Sequence, residues 1–152
     1  MNNSSFEEIL EKEGRLVYYN VGDSMLPLIR QGRDLVVIER TSGRLKKYDV
    51  PLFRRPNGTY VLHRIVWVRN EDYVVRGDNR WHKETGVRDE QILGVLTSVI
   101  RDGKELSVRD PKCRVRVRIW RMFFPLRAFW RKMNRVWNRP ESRKNEDSKK
   151  DI

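Results

Sequence analysis

Apolar residues along this chain recur with two different periods. Near the start they fall at Phe6, Ile9 and Leu10, one face of a short helix. Ser5-Phe6-Glu7-Glu8 reads as a capping box, in which Ser5 accepts from a free N–H of the first turn while Glu8 reaches back, and Gly14 ends the helix. From Arg15 the period becomes that of strands. Extended runs are predicted at Leu16 to Tyr19, Leu35 to Ile38, Tyr48 to Arg55, Tyr60 to Trp67, Tyr73 to Arg76, Ile92 to Ile100 and Leu106 to Val108. Turn chemistry separates them: Gly32, Thr41-Ser42-Gly43-Arg44, Arg69-Asn70-Glu71-Asp72 and Asp102-Gly103. Asn57-Gly58 is the strongest hairpin signal and folds Leu52-Phe53 back on the run from Tyr60. Within that run, strand alternation points Val61, His63 and Ile65 one way and Leu62, Arg64 and Val66 the other.

From Trp120 the helical period returns, with Trp120, Phe123, Leu126, Trp130, Met133 and Trp137 on one stripe and Pro125 set to kink or split it. Charge changes at the same place. Of the formal +12, the ten Lys and Arg of residues 111–139, unaccompanied by any acid, supply +10, whereas the first 110 residues hold 19 basic and 17 acidic side chains. The organisation predicted is therefore a domain over 1–110, a basic aromatic appendage over 111–139, and a charged, disordered tail over 140–152. An amphipathic helix with aromatics on one side and arginines on the other suits the headgroup region of an anionic membrane. Stacking on nucleic-acid bases is the weaker reading of Trp120, Phe123, Trp130, Trp137 and the arginines of 114–139, and packing on the domain is the plain one.

The single cysteine, Cys113, rules out an internal disulfide, and with His63 and His82 it makes a poor structural zinc set, so no metal or other cofactor is expected. The longest uncharged run, Gln91 to Ile100, is about half of the roughly 18 residues a membrane span needs, so no transmembrane helix is expected. Met1 to Ser5 lack the positive charge of a secretory leader.

Candidate chemistry centres on Val21-Gly22-Asp23-Ser24-Met25-Leu26-Pro27. A serine flanked by glycine and proline can sit at a tight bend with its hydroxyl exposed, but it is a weak nucleophile until a base takes its proton. His63 is the base best placed in the sequence. Taken singly, Gly22-Asp23-Ser24 is a polar turn and His63 a hydrogen-bonded core histidine. Their meaning comes from the combination.

That combination resembles the signal peptidase I-like serine peptidases. Ser24-Met25-Leu26-Pro27 matches the nucleophile box of that family, His63-Arg64-Ile65 looks like the base box of its archaeal and endoplasmic-reticulum type, and Gly77-Asp78-Asn79 followed by Gly94-Val95 looks like the third box. The resemblance covers roughly residues 17 to 100. It implies a mainly β fold, antiparallel, of the kind shared by signal peptidases and the self-cleaving domain of LexA-type repressors, here with a short N-terminal helix and a C-terminal amphipathic helix. It also implies a serine endopeptidase with a Ser24-His63 dyad, cutting signal- or leader-like peptides after small residues. A carboxylate at a strand end can fix the histidine tautomer, and Asp78 is the first choice for that role; Glu84, just after the third box, is the other. Gly22 stands where some relatives carry an oxyanion-stabilising hydroxyl. His82 matches nothing in the family pattern and is expected to be solvated. Most members of the family are tethered by a transmembrane helix, so the expected setting here is cytoplasmic and peripheral at the inner membrane face. The alternative is an inactive or self-cleaving LexA-like regulatory protein, against which stand His63 where that group uses lysine and the short stretch before the box.

Overall fold

The computed structural model describes residues 5–112 together with Val115, Ile119, Met122 and Phe123. The chain divides into units 1–121 and 122–152, and the first holds the helix and the strands of the domain. The expected amphipathic helix, with Trp120, Trp130, Trp137 and the arginines of 114–139, lies outside the described residues, as does the tail; Phe123 is exposed.

Helix α1 spans Phe6–Glu13. Ser5 caps it by accepting from the Glu8 N–H at 3.3 Å, and the Gly14 N–H closes the other end on Leu10 O. Its apolar face buries Leu10 and half-buries Phe6 and Ile9 against the first core.

Among the described residues nine strands follow: β1 (Arg15–Tyr19), β2 (Leu35–Glu39), β3 (Pro51–Arg54), β4 (Tyr60–Leu62), β5 (Arg64–Val68), β6 (Tyr73–Arg76), β7 (Glu84–Val87), β8 (Ile92–Arg101) and β9 (Lys104–Ser107). They form two antiparallel sheets. The larger runs β1-β2-β8-β3-β4, with β9 also paired to β8; the smaller runs β5-β6-β7. Strand β8 is the spine. One edge takes β2 along Val95 to Ile100, while the other takes β3 at Ile92 to Val95 and β9 at Ser98 to Arg101. Gly94 lets β2 come close, since a Cβ there would lie 2.6 Å from Glu39 O.

Two cores explain why several strands read as unbroken apolar runs. Leu52 of β3 belongs to the core under α1, with Leu16, Met25, Val36 and Leu62, whereas its neighbour Phe53 belongs to the core of the smaller sheet, with Ile65, Tyr73 and Val87. Both faces of β3 are covered, so alternation gives way to continuous hydrophobicity.

The sequence reading of Tyr60 to Trp67 as one strand needs correction. The chain leaves the larger sheet after Leu62 and enters the smaller one at Arg64, so His63 stands in the gap between β4 and β5. Arg64 and Ile65 are both buried, which simple alternation forbids. Each half-strand joins a different core, and the crossing costs one residue of register. Strand β7, which carries Glu84, had no strand prediction; its central residues Thr85 and Gly86 are exposed and carry no apolar period.

Candidate active site

Ser24 sits in the irregular segment between β1 and β2. Met25, Leu28 and Ile29 plug that segment into the first core, Met25 and Ile29 with no exposed surface. Burying a side chain of that size contributes about 1.5–3 kcal/mol, so the bend carrying Ser24 is fastened from beneath by the residue that follows it.

The third sequence box fastens it from the side. The Asn79 N–H donates to Ser24 O at 2.8 Å, and Asn79 Nδ2 donates to Asp23 O at 3.2 Å. Arg80 Nη2 reaches Asp23 Oδ1 at 2.5 Å. Gly77 passes so near that a Cβ there would lie 2.8 Å from Ser24 O and 3.0 Å from Ser24 Cβ. The Gly-Asp-Asn segment is thus the wall on which the serine bend rests.

Ser24 and His63 line one cleft of about 500 Å³. Its polar wall includes Asn20, Arg55 and Arg80, and its aromatic end is made by Phe6, Tyr18 and Tyr60. Phe6 lies between the two tyrosine rings, 4.9 Å from Tyr18 and 4.8 Å from Tyr60, which fixes α1 against the edge strands β1 and β4. The Tyr60 hydroxyl donates to Glu7 at 2.6 Å.

The two carboxylates proposed from sequence have separate surroundings. Asp78, 4% exposed, takes both arms of the buried Arg64: Nε donates to Oδ1 at 2.9 Å and Nη2 to Oδ2 at 2.8 Å. Asp78, the first choice from sequence as the partner of His63, is thus paired with Arg64. Glu84 is the carboxylate beside the ring, with Oε2 3.9 Å from His63 Nδ1. Arg55 holds it by Nε to Oε1 at 2.7 Å and Nη2 to Oε2 at 2.6 Å. His63 Nδ1 is buried and has no hydrogen-bond partner among the described residues.

These contacts set the protonation states. Burial pushes the His63 pKa down, Glu84 pulls it back up, and Arg55 and Arg80 add to the lowering, so the neutral imidazole is favoured. Hydrogen bonds from Arg55 hold Glu84 below the usual carboxylate range, against the opposing effect of burial. A neutral imidazole and an ionised carboxylate are the states in which base and orienting acid are useful.

His82 is exposed and outside the cleft lining. Sequence reasoning passed over Arg55, Asn20, Arg80 and the aromatic end. The hairpin signal at Asn57-Gly58 could have placed Arg55 beside the Tyr60 run, but nothing in the sequence pairs it with Glu84. Among the described residues no three His, Cys, Asp or Glu side chains gather as metal ligands would, and no helix is long and apolar enough to cross a membrane. No family model, curated protein or solved structure matches the chain, so the site is read from its own geometry.

Proposed function

We propose that the chain is a signal peptidase-like serine endopeptidase. The observation that carries this reading is that Ser24 and His63, far apart in sequence, line the same cleft while the Gly77-Asp78-Asn79 segment braces the serine backbone. In this reading Ser24 Oγ attacks the scissile carbonyl as His63 takes its proton. His63 then returns the proton to the leaving amine, and water hydrolyses the acyl-enzyme by the same route. With Nδ1 turned toward Glu84, Nε2 is the ring nitrogen left for the serine. The Ser24 N–H is the expected oxyanion donor, since Gly22 offers no hydroxyl. Glu84 replaces Asp78 as the acid that stabilises the imidazolium, and Asp78 serves the frame through Arg64.

The antiparallel, mainly β architecture agrees with the signal peptidase and LexA-type fold implied by the three boxes. On the same reading the substrates are signal- or leader-like peptides, and the basic aromatic appendage holds the chain at an anionic membrane surface. The test is mass spectrometry of leader peptides with small residues before the cut, incubated with the wild-type chain and with Ser24→Ala. Site-specific cleavage by the first alone supports the peptidase. Equal cleavage by both, or none by either, removes it.

A further inference from the structure

Arg55 leaves the base of the β3–β4 hairpin, where its N–H donates to Thr59 O and its carbonyl accepts from the Gly58 N–H, each at 2.9 Å. The backbone there is fixed, and the side chain spans to Glu84 at the start of β7. A guanidinium fork that meets both oxygens of a carboxylate sets its plane as well as its position. The oxygen that Arg55 Nη2 grips, Oε2, is the one 3.9 Å from His63 Nδ1. That gap is about 1 Å longer than an N–H···O bond. A buried ring nitrogen left without a partner is costly, and Nδ1 is in that position with an acceptor almost in reach.

We propose that Arg55 is a positioning residue for the Ser24-His63 dyad: its grip on Glu84 keeps that carboxylate set back from His63 Nδ1, so that the contact closes only when the imidazole has gained the serine proton. In the resting site the ring faces Glu84 from β7, Arg55 from the hairpin, and Arg80 and Asp78 from the loop after β6, with Asp78 already paired to Arg64. The cations disfavour a charged ring and leave it free to act as base. Once the ring is charged, attraction draws Glu84 across the gap, and the imidazolium is stabilised in the step that forms it. The inference rests on the peptidase reading for its purpose, although the coupling among the three side chains can be measured without activity.

The experiment is an NMR titration of the His63 ring in the full-length chain, with His82→Gln to remove the other imidazole. Arg55→Gln should move the midpoint to higher pH, because a cation is lost and Glu84 is freed to close on Nδ1. Glu84→Gln should move it to lower pH. Arg55→Lys, which keeps the charge but loses the fork, should fall between wild type and Arg55→Gln. If Arg55→Gln does not fold, Arg55→Lys alone decides: a midpoint above wild type supports the clasp, and an unchanged one overturns it. An unmoved or lowered midpoint in folded Arg55→Gln also overturns it. In peptide cleavage, Arg55→Gln should lower kcat by roughly ten- to a hundredfold, as expected for misplacement of a catalytic group by about 1 Å; an unchanged kcat counts against the proposal. Shifted midpoints in a chain that cleaves nothing would keep the clasp and remove the peptidase, whereas unmoved midpoints in an active chain would do the reverse.

Discussion

Replacing Asp78 with alanine removes the counter-charge from a guanidinium that stays buried. Arg64 is 8% exposed, and the pair shares three N–H···O contacts of 2.8 to 3.2 Å. Attraction between two such charges roughly repays their desolvation, so the pair adds little net stability, but loss of one partner costs about 3–5 kcal/mol. A second contact keeps the cost at the low end. Arg64 Nη1 also donates to Tyr48 O at 2.9 Å, so the guanidinium keeps one acceptor, and about 3 kcal/mol is expected for Asp78→Ala. A domain of ordinary stability, about 5–15 kcal/mol, remains folded. Urea unfolding of the full-length chain measures this directly from midpoint and slope. The double variant Arg64→Met/Asp78→Leu should recover most of the loss, since an apolar pair carries no desolvation penalty. A cost below about 1 kcal/mol for Asp78→Ala would mean that the buried Arg64 does not depend on Asp78 as its counter-charge. Activity separates frame from chemistry: Asp78→Asn should cleave nearly as well as wild type per folded molecule, while Glu84→Gln should not. The opposite order would return the orienting role to Asp78.

Ser24→Ala, His63→Ala and the double variant should all leave a similar residual cleavage rate, because groups acting as one unit are non-additive; independent, multiplying losses would argue against a dyad. Cleavage should rise with pH through a midpoint below the ordinary histidine value, since burial lowers the His63 pKa and the neutral ring is the active base; a rise confined to alkaline pH would point to lysine. Gly77→Ala drives a Cβ to 2.8 Å from Ser24 O, and should cost about 1–3 kcal/mol in a urea melt and roughly a hundredfold in kcat/KM. Burial raises the Asp34 pKa, but hydrogen bonds from Arg101 and Arg30 outweigh it and hold the group at about 2, below its ordinary 3.8. Its contribution to stability is thus complete above about 3.8 and lost as pH falls toward 2, so Asp34→Asn should flatten the acid limb of the stability curve between those values. The full-length chain should sediment with anionic but not neutral vesicles, with part of the binding resistant to salt; indifference to anionic vesicles at moderate salt would remove the membrane reading.

Local signals determined much of this protein. Ser5 and Gly14 bound α1, Asn57-Gly58 makes the β3–β4 hairpin, and the apolar run from Ile92 is the strand all neighbours share. Each depends on a backbone preference or a period that a few neighbouring residues set by themselves. Ser24 and His63 stood out in the same way, as short boxes, and the fold brings them to one cleft. The partners of the two acids were not legible. The sequence put Asp78 ahead of Glu84 beside His63, and only the packing of β5 against β6 puts Arg64 on Asp78, while the hairpin puts Arg55 on Glu84. The break at His63 was likewise hidden, because alternation assumes one sheet, and here the chain crosses between two cores within a single residue. Charge pairing and sheet changes depend on which segments meet in space, and that is set by the burial of Leu62 and Ile65 on opposite sides of the crossing, which the tertiary structure alone decides.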